Sequence, residues 1–571
     1  MRKAAAGFII LGMIALQGCS SRNTAEQADL TETVQQEAVT PISEKEEEDH
    51  TMINEANKDT AHYNQASIRY SPENYKMWDA WCVSDNDEIH LIHLKGLKEG
   101  FDYNMEEENK RGFGHAVSTD LLHWSEQEDI LKVDPGKNYL DNEFRYTGST
   151  IEYQGTYYTF YTMRKGQGQR IGVATSKDLY SWSEYDKNPV LVPDEKWFIT
   201  YANENVSNNK LWGGTVDCRD LVVVRDEEGG GFWGYFVASA DRGLTAPTSV
   251  IGLAYSRDLL EWEQLGIVYE PEGVTMPEMI DVFEYNGRWY MTLTTAKNNG
   301  SIGAFSDPYI TRAQIYASAD SPGGPFLENK EDNVLMGGQI DSGYSSRTID
   351  YKGKKRILYV DGNGGNSVIS LPKDIGVDSE GNLRMYYSED ILKALRTEAL
   401  ADSIATQPNN SFAWKTKGGT WKKEDGTYSC STDPKSWQAF LMKGISSNLE
   451  LAFTVKAKSS CSSFGIVISS RGDGNALNDI DHILVVDREQ NKVYLTNAQW
   501  EMKNAREYSF DEAGDYHFRM LLAGNTVELY INDEMVFNSG ILNGGTNRAG
   551  LFVNDGSIWA ENLELYGLEK E

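Results

Sequence analysis

GHAVSTDLLHW, residues 114–124, returns as GVATSKDLYSW at 172–182 and as GLAYSRDLLEW at 252–262. All three obey G-x-A-x-S-x-D-L-x-x-W, and a fainter copy, QIYASADSPGG, begins at Gln314. Small or apolar residues alternate with polar ones, which suits a strand, and S-x-D-L suits the turn that follows it. Strand repeats every several tens of residues, with no helical pattern between them, mark the blades of a β-propeller. A propeller brings one inner strand of each blade to a common axis, so polar groups on those strands face one pocket.

Outward from the repeats, the chain reads as an all-β protein of several domains. Its 571 residues allow two or three domains with a large core. The formal net charge of -32 argues against nucleic acid and against polyanionic glycans or anionic lipid, leaving a neutral partner. At the N-terminus, Arg2 and Lys3 precede an apolar stretch, Ala4 to Leu16, too short to span a membrane comfortably. Leu16-Gln17-Gly18-Cys19 resembles a bacterial lipobox. That resemblance implies a signal peptide over 1–19, lipidation of Cys19 and an extracytoplasmic protein held to the cell envelope only by its lipid. Residues 20–60 are polar and acidic and read as a flexible linker. The propeller is expected over 61–405, closing with an amphipathic helix in Ser388–Leu400 capped by Asp390. Beyond Pro408-Asn409-Asn410, short alternating strands such as those at 449–455 and 526–531 predict a β-sandwich over 406–571. Cys430 and Cys461 have two readings there, a disulfide or two buried thiols.

The repeats also work as a ruler. Asp79 lies 35 residues before Gly114, Asp220 lies 32 before Gly252, and Glu278 lies 36 before Gln314. Each falls in or near the first strand of a blade, so innermost first strands bring the three acids together. Carboxylates around one pocket suit glycoside hydrolysis, in which two of them flank the scissile bond. Arg219 stands beside Asp220 to offset repulsion and grip hydroxyls. Asp217 competes with Asp220; three residues apart, they point to opposite faces of a regular strand. Asp281 reads as a structural acceptor on the face opposite Glu278. Asp120, Asp178 and Asp258, inside the repeats, read as turn residues. Trp78 and Trp81 offer rings to a sugar or fill the pocket floor, and Asp341 touches ligand or caps a strand of the fifth blade.

These segments resemble glycoside hydrolase family 32, the invertase, levanase and inulinase group. The family's Trp-Met-Asn-Asp-Pro-Asn-Gly, Arg-Asp-Pro and Glu-Cys-Pro-Asp segments meet Trp78-Asp79, Arg219-Asp220 and Glu278-Met279-Ile280-Asp281, in that order. Tyr146-Thr147-Gly148-Ser149 resembles its Phe-Ser-Gly-Ser, and Ile369-Ser370-Leu371-Pro372-Lys373 resembles the Ser-Leu-Pro-Arg near the end of the catalytic domain. The resemblance implies a five-bladed propeller followed by a sandwich, and a retaining hydrolase of β-fructofuranosides that needs no metal or other cofactor. It makes Asp79 the nucleophile, Asp220 the stabiliser of the oxocarbenium-like transition state and Glu278 the general acid/base. Trp78, Trp81, Ser149, Arg219 and Asp341 become the candidate sugar contacts. The chain departs from the family around Asp79, where Ala80 and Trp81 replace Pro and Asn, and at Leu94, which replaces a sugar-contacting Gln. These departures leave the sugar open: another furanoside, or a non-catalytic glycan-binding role, stands as the alternative. For the sandwich, Trp414, Trp421 and Trp437 are either core residues or sugar platforms.

Overall fold

The structure is a computed structural model. It describes residues 68–570 apart from 98–111, 133–143, 166–167, 201–215, 242–248, 272–276, 297–311, 330–332, 339–342, 362–366, 401–418, 470–479, 498–500, 511–513 and 542–546. Cys19, Asp341 and Trp414 lie outside the described residues.

Five antiparallel four-stranded units form a propeller, here blades I to V. Their innermost strands are Tyr75–Asp85, Phe144–Tyr153, Cys218–Asp226, Glu278–Tyr285 and Tyr344–Tyr351. Apolar side chains fill the seams between blades, as the hydrophobic effect demands of sheets too small to bury a face alone. Trp81, Ile92, Tyr161 and Met163 pack between blades I and II, and Phe160, Val173, Leu221 and Phe236 between II and III. Met77 and Leu91 meet Ile349 and Leu358 at the seam that closes the ring.

The repeat motif builds the turn after the third strand of blades I, II and III. Asp178 Oδ1 accepts the N–H groups of Tyr180 and Ser181 at 2.9 and 2.7 Å, while Ser176 Oγ accepts that of Leu179 at 2.9 Å. Trp182 Nε1 then donates to Leu179 O at 2.9 Å. Asp120 and Asp258 make the same paired bonds in blades I and III. The leucine of each motif sits at a left-handed φ of 62° to 69° (Leu121, Leu179, Leu259), held there by the serine before it and the tryptophan after it.

The inner strands are interrupted. Each carries one extra residue relative to its neighbour, at Asp79, Thr147, Asp220-Leu221, Met279-Ile280 and Ser345-Ser346. Asp79, Asp220, Met279 and Ser345 take positive φ values of 43°, 57°, 53° and 58°. Such bulges turn side chains out of the pleat, and non-glycine residues in this region cost of order 1–3 kcal/mol each. In blade II the bulge instead requires Gly148, where a Cβ would stand 1.8 Å from Phe160 O.

The helix is shorter than the pattern predicts. It runs Glu389–Leu395 and buries Ile391, Leu392 and Leu395. Asp390 is not its cap but lies in the first turn, where its carboxylate accepts Arg356 Nη2 at 2.5 Å. Arg396 leaves the helix because its guanidinium is taken by Glu389 and the buried Glu450, and Arg396–Ala399 pairs with Ser557–Leu568.

A β-sandwich follows, one sheet of which continues from blade V through the pairing of Tyr386 with Glu534. At this joint the buried Glu528 accepts Tyr359 Oη and Tyr530 Oη, each at 2.6 Å, and pairs with Lys373 Nζ at 3.0 Å. Cys430 and Cys461 are free thiols buried in the sandwich core, and burial pushes both up to about 12. Trp421 is buried in the same core and so forms no open sugar platform, while the half-buried Trp437 packs on Phe552.

Candidate active site

Asp79, Asp220 and Glu278 project toward the axis from blades I, III and IV. Asp79 and Asp220 occupy the bulge position itself, whereas Glu278 lies one residue before it. Arg219, also one residue before a bulge, joins the acids: its Nη1 is 3.0 Å from Asp220 Oδ2 and 3.3 Å from Glu278 Oε1. Its Nε donates to Asp217 Oδ1 at 3.3 Å and its Nη2 to Pro277 O at 3.0 Å. Burial opposes the charge of Arg219, but Asp220, Asp217 and Glu278 outweigh it and hold the guanidinium protonated.

Backbone and hydroxyl groups lock the acids in place. Asp220 Oδ2 also accepts Met279 N at 3.0 Å, which ties blade III to blade IV. The Asp220 N–H donates to Thr162 Oγ1 at 3.0 Å, and that hydroxyl donates onward to Thr147 O at 3.0 Å. Thr147 Oγ1 in turn donates to Asp79 Oδ2 at 2.6 Å. Asp217 accepts the Ser239 and Ser249 hydroxyls and Arg219 Nε, and so is engaged in structural bonds. Asp281 accepts both the N–H and the hydroxyl of Thr348, at 2.6 and 2.7 Å, which ties blade IV to blade V.

The three acids differ in environment. The Asp220 side chain is 4% exposed and the Glu278 side chain 39% exposed. Asp79 is half-buried, and its carboxyl is pushed up to about 7. Burial is the main cause, followed by the charge of Glu278; Thr147 pulls it back, Asp220 pushes it up and Arg219 lowers it. Because the charge of Glu278 acts only when Glu278 is ionised, a proton on Glu278 relieves Asp79.

Two of the sugar contacts expected from the sequence are placed elsewhere. Trp81 is 2% exposed; its ring fills the seam between blades I and II, and Nε1 donates to Thr150 Oγ1 at 3.0 Å. Ser149 Oγ donates to Leu221 O at 2.6 Å, a strut between blades II and III. In their stead Thr147, to which the sequence reading gave no role beyond its place in the Phe-Ser-Gly-Ser-like segment, reaches the carboxylate of Asp79. Trp78, next to Asp79, is half-buried, and Leu94 is 6% exposed beneath it. Among the described residues no cluster of His, Cys, Asp or Glu could hold a metal ion.

Residues 101–359 match the glycosyl hydrolases family 32 N-terminal domain, and 412–567 match the glycosyl hydrolases family 32 C-terminal domain. The chain belongs to glycosyl hydrolase family 32. The first match begins after the strand of Asp79, in keeping with the divergence of that segment. A levanase of Bacillus sp. (strain L7) is 23% identical over 532 residues, 85% of this chain and 51% of the levanase. The chain thus spans about half the length of that relative. An acid β-fructofuranosidase 2 of a Rosa hybrid cultivar is 25% identical over 268 residues, 43% of this chain and 37% of that protein. Family 32 structures share the fold. The β-fructofuranosidase BmSUC1 of Bombyx mori is similar with a TM-score of 0.63 at 18% identity, covering 92% of this chain and 99% of that one. An exo-inulinase of Aspergillus awamori gives 0.63 at 14% identity, covering 89% and 99%.

Proposed function

We propose that this family 32 member hydrolyses β-fructofuranosyl bonds in neutral oligosaccharides or fructans with retention. The observation that carries the reading is the convergence of Asp79, Asp220 and Glu278 around Arg219. In the first step an Asp79 oxygen attacks the anomeric carbon while the bond to the leaving oxygen breaks and Glu278 gives that oxygen its proton. In the second, Glu278 takes a proton from water, and the hydroxide formed displaces Asp79. Asp220, bonded to Arg219 and to Met279 N–H, accepts sugar hydroxyls and stabilises the positive charge that develops on the ring. The greater exposure of Glu278 gives it access to leaving group and water. Its charge returns after the first proton transfer, when Asp79 is esterified and no longer competes for the proton.

Trp78 is assigned to sugar contact, and Asp341 remains a candidate for it. A second reading, hydrolysis of another furanoside, is favoured by the strand around Asp79, where Leu94 is buried and offers the sugar no hydrogen bond. We further propose that Cys19 carries lipid and holds the enzyme at the outer face of a membrane. Sucrose, kestose, inulin and levan, tested with wild type, Asp79→Ala and Glu278→Ala, decide between the readings. Fructose release abolished by both substitutions is the expected result. Release of a different sugar selects the second reading, and tight binding without turnover points to a glycan-binding protein. Incorporation of labelled palmitate, lost in Cys19→Ser, checks the anchor.

A further inference from the structure

Arg347 is a buried cation that the hydrolytic scheme does not use. It follows the bulge at Ser345-Ser346 on the inner strand of blade V and is 4% exposed. Its Nη2 lies 3.5 Å from Gly148 O on the inner strand of blade II. Blade I stands between blades V and II in the ring, so this side chain crosses the axial space on the inner side of the Asp79 strand. Gly148 directly follows Thr147, whose hydroxyl holds Asp79 Oδ2. Arg347 Nε and Nη1 are buried and meet no acceptor among the described residues.

A charge of this kind has a cost unless carboxylates compensate it. The groups that act on Arg347 are Asp281, Asp220, Asp79 and the Cys82 thiol, behind the dominant effect of burial. Asp281 is already committed to Thr348, and Asp220 to Arg219 and Met279. Asp79 has one hydroxyl donor, Thr147. Around Asp79, blade II presents Thr147, blade III Arg219 and Asp220, and blade IV Glu278. Arg219 is shared by three carboxylates, whereas Arg347, from blade V, makes no direct ion pair among the described residues.

We propose that Arg347 is a positioning residue of the hydrolytic site: it braces the blade II backbone on which Asp79 rests and supplies positive charge beneath the Asp79–Asp220 pair. The proposal rests on the reading of Asp79 as the nucleophile. It gives blade V a part in the reaction although that strand brings no acid to the pocket.

The test compares wild type, Arg347→Met, Arg347→Gln and Arg347→Lys, each checked for folding by thermal melting, over the pH range of activity on a β-fructofuranoside. Loss of the charge raises the acidic limb of kcat/KM by about one pH unit in the Met and Gln variants, a loss of about ten-fold below that limb. Lys restores the limb while kcat stays low, because its ammonium, on a shorter side chain, does not reproduce the Nη2 bond to Gly148 O. Infrared titration of 13C-labelled aspartate, with Asp79→Asn identifying the band, should show the same rise in the ionisation of Asp79. If Met does not fold, Gln, neutral but polar, carries the measurement. A uniform fall in kcat with limb and Asp79 band unmoved means a structural role and overturns the proposal alone. A wild type that turns over no furanoside overturns the reading on which it rests.

Discussion

The hydroxyl of Thr147 meets Asp79 Oδ2 at 2.6 Å, so a residue of blade II sets the ionisation of the acid that blade I brings to the axis. The bond favours the carboxylate and opposes the burial that pushes Asp79 up to about 7. Thr147→Val removes it. The pKa of Asp79 then rises further, and kcat/KM below neutral pH falls about ten-fold, since a hydrogen bond to a charged group contributes about 1.5–3 kcal/mol. Thr147→Ser keeps the donor and should keep the pH profile; a profile in Thr147→Val that matches wild type removes Thr147 from the site.

Asp79 also sets a balance between activity and stability. Its folded-state pKa lies above the ordinary carboxylate value, so folding favours its protonated form. Its contribution is most favourable at low pH and is lost as pH rises from about 4 through about 7. Asp79→Asn therefore abolishes turnover yet stabilises the fold by about 1–3 kcal/mol at pH 8, with little gain at pH 4. Thermal melting at the two pH values checks the sign; equal shifts at both would leave the charge of Asp79 without a role in stability.

Arg219 has the opposite character. It pairs with Asp217 and Asp220 and lies 3.3 Å from Glu278, all within one buried cluster. Arg219→Met strands two buried carboxylates, and a loss of about 3–5 kcal/mol is expected together with loss of activity. Arg219→Lys retains the charge but not the fork, so it should fold with kcat reduced at least ten-fold. Denaturant titration and steady-state kinetics separate the two variants.

The neighbouring tryptophans should part company in kinetics. Trp81 is closed in the seam and bonded to Thr150, so Trp81→Phe costs about 1–2 kcal/mol of stability and leaves KM within two-fold. Trp78→Ala should raise KM several-fold with a smaller change in stability. The reverse pattern would place the sugar on the other side of the Asp79 strand.

How far these assignments could be read from sequence depends on whether the signal is local. The turn of the repeats is local: serine, aspartate and tryptophan make all its bonds within seven residues of one another, and the motif spells them out. The count back from it found Asp79, Asp220 and Glu278 because blades of similar size have inner strands at similar offsets. Bulges are different. Whether a strand holds an extra residue depends on the strand it pairs with, so the sequence left Trp81 open between sugar contact and pocket floor, and set Asp217 against Asp220 only as opposite faces of a regular strand. The role of Thr147 was hidden for the same reason; its local signs were the Phe-Ser-Gly-Ser-like segment and Gly148, whose missing Cβ admits Phe160 O. The end of the helix at Leu395 followed from Arg396 reaching Glu450, a contact 54 residues away that no local pattern encodes.

The joint between propeller and sandwich should respond to a single atom change. Burial pushes Glu528 up, but Lys373 and the two tyrosine hydroxyls outweigh it and hold the carboxyl below its ordinary value. Its contribution is therefore present above the ordinary pKa and is lost in acid as pH falls through the lowered one. Glu528→Gln leaves Lys373 buried without its anion and costs about 3–5 kcal/mol at neutral pH. Differential scanning calorimetry should show the loss shrinking in acid; a loss independent of pH would assign it to packing.

The seam between blades I and V has a mechanical consequence. Tyr70 O accepts Ile369 N at 2.9 Å, and Arg69 Nη1 reaches Asp361 Oδ2 at 2.7 Å and Thr526 Oγ1 at 3.2 Å. The first described residues are thus clasped by the last blade and by the sandwich together. Tension arriving from the N-terminal side of Ile68 is divided between both domains before it can reach the Asp79 strand. A tethered molecule pulled from that end would keep its carboxylates in register until the clasp itself gave way.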